Sequence, residues 1–265
     1  MKRKITLGIF CIFCVCLVCA LTKVILIYVT YQKGNAIYGQ IADTVAEEIK
    51  VDSEVEWYAE KPKKKGQKST KESITDPVLK VDFASLQKKN PDIIGWIYIP
   101  DTVISYPLLQ TTDNEKYLHK TYDLQTSIFG SIFMDCQNQA DFSDQHTIIY
   151  GHNMRNGSMF GSLKKYYDAD FFQKHRKIYI YTPKESRVYQ IFSCHVAKAG
   201  GSVYQTDFTD GKAFLQFAEG LQKSSYYQTQ EELEKDSKLI TLSTCTGAEE
   251  KRLVLHGIYI GNVVQ

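Results

Sequence analysis

Several signatures of catalysis are missing from this 265-residue chain. It has no His-Glu-x-x-His pair, no glycine-rich phosphate loop and no paired cysteines at metal-binding spacing, which disfavours metal and nucleotide chemistry. It also lacks a strong charge of either sign. Thirty-two Lys and Arg against thirty Asp and Glu leave a formal net charge of +2, too small to point to a nucleic-acid partner. No acidic cluster calls for calcium, no internal repeat is evident, and no cofactor is implied. Of seven cysteines, Cys11, Cys14, Cys16 and Cys19 fall in one apolar run. Only Cys136, Cys194 and Cys245 remain for the body, an odd number without tight spacing, which excludes a disulfide framework and a zinc site and leaves at least one free thiol.

What is present begins with the N-terminus. Lys2-Arg3-Lys4 precedes an apolar run from Ile5 to Val29, long enough as a helix to cross a ~30 Å hydrocarbon layer. Basic residues at the start predict a cytoplasmic N-terminus and an exported remainder, with Lys23 at the outer interface and Tyr28 and Tyr31 in the interfacial belt. The run exceeds the apolar region of a cleaved signal peptide and has no small-x-small cleavage site, so residues 1–33 read as a transmembrane signal anchor. Residues 34–75 read as a stalk followed by a linker. Ile41, Val45 and Ile49 stand near helical spacing among acids, and six lysines crowd Lys61 to Lys71 with almost no apolar residue. The lysine run reads as a solvated spacer, with attraction to anionic wall polymer or lipid as the functional alternative.

The folded body is expected over residues 76–265. It opens with a predicted helix from Val78 to Lys89. Short β-type runs then dominate: Ile93 to Ile99, Val103 to Leu109, Gly130 to Met134, Thr147 to Tyr150, Lys177 to Thr182, Arg187 to Val196, Leu239 to Ser243 and Leu253 to Ile260. Turn residues separate them without a regular alternation of long helices, which predicts a mainly β barrel or sandwich. Helical insertions are predicted at Asn114 to His119, Ser158 to Tyr167, Asp170 to His175 and Gly211 to Tyr227.

One stretch carries the chemistry. The run Lys238 to Leu242 delivers Cys245 to its end, and a second apolar run leaves after Arg252. This predicts two strands with a thiol and a guanidinium at their facing ends. A nucleophilic cysteine is helped by a nearby imidazole or guanidinium. His152, between Gly151 and Asn153 where a strand gives way to a loop, is the best-placed base. Arg252 keeps its proton and offers a rigid fork of donors for a carbonyl or an oxyanion. Cys194 and His195 are adjacent on a predicted strand and point to opposite faces. Cys194 reads as core, Cys136 as a tolerated small residue and His256 as structural. His119, His146 and His175 have no partner identifiable from the sequence.

Thr241-Leu-Ser-Thr-Cys245, Arg252-Leu-Val-Leu-His-Gly257, Tyr150-Gly-His-Asn-Met154 and Gly130-Ser-Ile-Phe-Met-Asp135, behind one N-terminal anchor, resemble a sortase, and class B in particular. Gly95 to Pro100, Tyr106 to Gln110, Asp113-Asn114, Tyr117-Leu118 and Met159-Phe160 add to the match, which spans roughly residues 80 to 260 in the family's order. The resemblance implies a closed eight-stranded β-barrel with peripheral helices, working on the outer face of a Gram-positive membrane. It implies Cys245 as nucleophile, His152 as acid/base partner and Arg252 as oxyanion or substrate stabiliser. Asn114, Leu118, Ser243 and Tyr204 would line the substrate. The partners implied are secreted proteins with a C-terminal sorting pentapeptide, cleaved after its threonine, and a peptidoglycan-precursor amine. Class B members commonly accept Asn-Pro-x-Thr-Asn-like signals, and some accept variants ending in glycine. The Thr246 to Lys251 connection is short for class B, and the Ala197 to Gln205 loop differs from the expected length. Two other readings stay open: a membrane-tethered cysteine peptidase or amidase acting on wall peptides, and a noncatalytic surface-binding module.

Overall fold

The computed structural model describes residues 2–49, 57–60, 71–74, 76, 78–248 and 250–264. The chain divides into two compact units, Met1–Ile41 and Ala42–Gln265. The first helix, α1 (Lys2–Val45), contains a stretch long and apolar enough to cross a membrane. Its side chains from Phe10 to Val29 that are large and apolar, such as Phe13, Val24 and Ile25, are exposed. Most of the lysine run, residues 61–70, lies outside the described residues.

Eight strands build the barrel of the second unit: β1 (Ile93–Tyr98), β2 (Ser105–Leu109), β3 (Ile132–Met134), β4 (His146–Tyr150), β5 (Lys177–Tyr181), β6 (Ser186–Lys198), β7 (Leu239–Cys245) and β8 (Lys251–Val264). They pair in the order β6-β5-β1-β2-β3-β4-β7-β8, and β8 pairs back onto β6, closing the barrel. Closure leaves none of the eight with an open edge. Two neighbouring pairs, β2 with β3 and β4 with β7, run parallel, and the rest are antiparallel. Trp96, Leu108, Ile132, Ile149, Leu242 and Leu255 are fully buried.

The expectation of a mainly β fold with short strands holds, and all eight predicted runs fall on barrel strands. The predicted helix from Val78 to Lys89 divides in two. Val78–Val81 is a strand paired antiparallel with Ala46–Ile49, and only Phe83–Lys89 is helical, as α2. Asp82 sets the boundary, since its carboxylate accepts from the Ser85 backbone N–H at 3.0 Å as an N-cap. Asn114 to His119 holds a single 3-10 turn, Lys116–Leu118, and Phe160–Tyr167 is also 3-10. Helix α3 covers Ala169–Lys174.

Helix α4 (Gly211–Lys223) is capped by Asp210, which accepts from the Lys212 and Ala213 N–H groups. Phe214, Ala218 and Leu221, spaced by four and three, form one face. That face packs with Phe192 of β6, Leu239 of β7 and Val254 and Ile258 of β8. Helix and barrel wall thus share a core beneath the strands that carry Cys245 and Arg252.

Candidate active site

Strand pairing alone explains how the predicted residues meet. Strands β4 and β7 are parallel with Tyr150 opposite Ser243, so residues two positions beyond that pair leave the barrel at the same end. Those residues are His152 and Cys245. Three hydrogen bonds lace the two strand ends together. The Gly151 N–H donates to the Ser243 carbonyl at 3.2 Å, the Thr244 hydroxyl donates to the Gly151 carbonyl at 2.7 Å, and the Asn153 side-chain amide donates to the Cys245 carbonyl at 2.6 Å. Across the other edge of β7, Cys245 pairs directly with Arg252 of β8. A compact turn makes this register possible, with Gly247 at φ +98° and the Lys251 N–H returning to the Ala248 carbonyl. Lys251, one residue earlier on a strand, belongs to the opposite face.

Cys245, His152 and Arg252 line one cleft of about 350 Å³ with Asn114, Leu118, Ser243 and Tyr204. All seven residues expected from the sequence are therefore brought together. Cys245 is exposed, whereas His152 and Arg252 are half-buried. His152 Nε2 stands 2.7 Å from the Leu118 carbonyl. A carbonyl only accepts, so Nε2 carries the hydrogen, and in the neutral ring Nδ1 keeps its lone pair. Gly130 permits this approach. It sits at φ +54°, and a Cβ there would come within 2.6 Å of the Tyr117 carbonyl and 2.7 Å of the Leu118 carbonyl.

The walls are held by polar pairs. The Tyr204 hydroxyl is 2.8 Å from Ser243 Oγ, and its ring stacks on Tyr150 with centroids 6.3 Å apart. Asn114 donates through Nδ2 to Asp135 at 3.1 Å and accepts through Oδ1 from the Cys136 N–H at 2.8 Å. The Tyr150 hydroxyl donates to the same carboxylate oxygen of Asp135 at 2.8 Å. Burial, reinforced by that carboxylate, raises the Tyr150 phenol, and burial raises Tyr204. Both keep their protons and act as hydrogen-bonding hydroxyls.

Residues to which the sequence assigned no individual role also shape the site: Asn153, Thr244 and Asp135 as supports, and Phe133, Tyr150, Gly151, Ala199 and Gly200 as lining. Ala199 and Gly200 come from the loop after β6, where the Ala199 N–H donates to the Glu250 carbonyl at 2.8 Å. Asn153 could have been suspected from its place beside His152. Asp135 closes the Gly130 to Asp135 match, but its supporting role is not readable locally, because the lining residues it holds lie 15 and 21 residues away.

Cys194, Cys136 and His256 do not line this cleft. Cys194 is fully buried, and burial pushes its thiol up to about 12. Burial, then the nearby Asp135 charge, raises Cys136. His256 is fully buried and held neutral, chiefly by burial and then by His195 and His146.

A closed barrel that gathers a thiol, an imidazole and a guanidinium on one cleft has the make-up of an enzyme of cysteine-dependent acyl transfer. The Sortase domain family model matches residues 97–259. Sortase B of Listeria monocytogenes is 36% identical over 194 residues, covering 71% of this chain and 79% of the relative. Sortase B of Staphylococcus aureus is 32% identical over 176 residues, covering 65% and 72%. Among solved structures, sortase B from B. anthracis in complex with AAEK1 superposes with a TM-score of 0.70 at 32% identity, covering 88% of this chain and 99% of that one. The Staphylococcus aureus sortase B-substrate complex gives 0.64 at 31% identity, covering 68% and 84%. This chain belongs to the sortase family, in its class B, and is a cysteine transpeptidase of cell-wall anchoring.

Proposed function

We propose that Cys245 is the nucleophile, His152 the acid/base partner and Arg252 the oxyanion stabiliser in cleavage of a C-terminal sorting pentapeptide of the Asn-Pro-x-Thr-Asn type. Cys245 Sγ bonds to the threonine carbonyl carbon while its thiol proton passes to His152 Nδ1. The peptide C–N bond then breaks, and His152 returns that proton to the departing amine, leaving a thioester. An amine of a peptidoglycan precursor attacks the thioester, gives its proton to His152 and releases the thiol. The secreted protein is thereby joined to the wall. Arg252 donates to the oxygen that becomes negative in both tetrahedral intermediates. Asn114, Leu118, Ser243 and Tyr204 receive the pentapeptide. Helix α1 anchors the enzyme, with Lys2-Arg3-Lys4 on the cytoplasmic side and the barrel outside.

The observation that carries this reading is the placement of Cys245 between two neighbours on one cleft, Arg252 as its cross-strand partner and His152 at the end of the parallel strand. The full-length protein in detergent, incubated with pentapeptides with and without an amine acceptor and followed by mass spectrometry, tests it. Release of the tail together with an amine-linked product is expected from the wild type. Cys245→Ala and His152→Ala should abolish both, and Arg252→Ala should slow them on the order of a hundredfold or more. Turnover in Cys245→Ala would refute the assignment, and release without any amine-linked product would favour a hydrolase.

A further inference from the structure

A chain of buried hydrogen bonds runs behind the cleft and ends on its wall. His146 opens β4, the strand whose other end leads to His152, and it is fully buried. Its Nδ1 stands 2.7 Å from the Gln205 carbonyl and its Nε2 2.6 Å from Thr241 Oγ1. Thr241 Oγ1 lies in turn 2.7 Å from His256 Nδ1. Burial holds His146 near a pKa of about 4, so the ring is neutral and has one N–H. Because the Gln205 carbonyl only accepts, that hydrogen is on Nδ1. Nε2 must then accept, and the Thr241 hydroxyl donates to it. Thr241 has no second hydrogen, so His256 donates to Thr241 from Nδ1. This leaves His256 Nε2 as a lone pair, and it is buried without a partner. One assignment of hydrogens satisfies the chain, and it points every donor toward Gln205.

Gln205 immediately follows Tyr204 and ends the 3-10 turn Ser202–Tyr204. Tyr204 reaches Ser243 with its hydroxyl and Tyr150 with its ring, and Ser243 is two residues beyond Thr241 on β7. The same imidazole thus grips the loop beside Tyr204 and the strand below Ser243, while its ring packs on Phe217 of α4 with centroids 5.1 Å apart. We infer that His146 is a positioning residue for substrate: through the Gln205 carbonyl it holds Tyr204 against Ser243, which sets that wall of the peptide cleft. This rests on the reading of Tyr204 and Ser243 as substrate-lining.

Two near-isosteres separate the halves of the clamp. In His146→Asn the side-chain amide nitrogen falls where Nδ1 was and can still donate to Gln205. In His146→Gln the terminal amide falls where Nε2 was, which keeps the Thr241 bond and loses Gln205. Each variant loses one buried hydrogen bond, so both should be destabilised alike. A merely structural role would end there.

With the full-length enzyme in detergent, His146→Gln should raise the peptide KM about five- to tenfold with kcat within about twofold, as expected for one lost hydrogen bond that orders a binding wall. His146→Asn should keep KM near the wild-type value. Amide exchange read by mass spectrometry should quicken over residues 202–206 in His146→Gln only, since the Tyr204 and Gln205 N–H groups are bonded within that turn. Equal KM values in the two variants, or exchange in that turn unaltered by His146→Gln, would overturn the inference. If the wild type cleaves no pentapeptide, the proposed substrate fails instead, and the exchange comparison still decides the clamp.

Discussion

The side-chain amide of Asn153 donates to the backbone carbonyl of Cys245 at 2.6 Å. The residue next to His152 thereby fixes the peptide unit that carries the thiol, tying the imidazole and the sulfur into one rigid frame. Pre-set geometry of this kind matters because a displacement of about 1 Å between reacting groups can cost on the order of a hundredfold in rate.

Asn153 is accordingly expected to be more sensitive to charge than to size. Asn153→Ala removes the tie and should lower kcat/KM by about tenfold, consistent with one lost hydrogen bond. Asn153→Asp places an acceptor-only carboxylate against a carbonyl oxygen and should cost on the order of a hundredfold. Steady-state rates on a cleaved pentapeptide, with circular dichroism to confirm folding, give the comparison. An aspartate variant as active as the alanine variant would dismiss the tie.

The thiols should separate by exposure and acidity. Among the body cysteines, Cys245 is exposed, Cys194 is fully buried with its pKa pushed up to about 12, and Cys136 is half-buried and raised. Only the thiolate reacts. A methanethiosulfonate reagent should therefore modify Cys245 first among these three and stop turnover, as peptide mapping would show. Modification of Cys136 or Cys194 with activity retained would contradict the assignment of the nucleophile.

How much of this was open to reading from the sequence depends on whether a residue acts through its own strand or across the fold. The barrel strands are legible because each is a short apolar run between turn residues. Cys245 and Arg252 are legible because a single hairpin joins them. His152 can be nominated from its place where a strand gives way to a loop, but its meeting with Cys245 depends on the parallel pairing of β4 with β7, which periodicity does not reveal and the motif resemblance implied. His146 had no identifiable partner because Gln205 and Thr241 lie 59 and 95 residues away. Of the Val78 to Lys89 segment, Phe83–Lys89 is helical as its pattern predicts, and Val78–Val81 departs because it is a strand paired with Ala46–Ile49, a partner no local pattern announces.

Asp135 should govern binding rather than chemistry. Its Oδ2 accepts from both Asn114 and Tyr150, two lining residues, while Oδ1 accepts from the Gln137 N–H at 2.9 Å. Asp135→Ala frees both walls and should raise KM roughly tenfold or more, since two half-buried donors lose their partner. In Asp135→Asn the amide oxygen can still accept at the shared position, so most of that loss should be recovered. A fall in kcat at unaltered KM would assign the carboxylate a different role.

Acid should weaken the fold through its buried histidines. Burial lowers His146 from 6.5 to about 4 and also lowers His195 and His256. Between these values the unfolded chain binds a proton that the folded chain refuses. Stability is therefore complete above about pH 6.5 and declines as the pH falls toward 4. For His146 alone the loss amounts to on the order of 3 kcal/mol at 1.36 kcal/mol per pH unit. Asp113 and Asp141, whose carboxyls are lowered by hydrogen bonds from neighbouring backbone and side-chain groups, weaken the fold only at the acid end of this window, near and below the ordinary carboxylate pKa. Urea midpoints of the full-length protein, taken from pH 7.5 to 4.5, should fall steadily below pH 6.5, and more gently in His146→Asn, which has no imidazole to protonate. Wild type and His146→Asn declining in parallel would show that His146 already carries a proton in the fold; Nδ1 would still donate to Gln205, but Nε2 would donate to Thr241, and the direction of that bond and of the one to His256 would need to be reassigned.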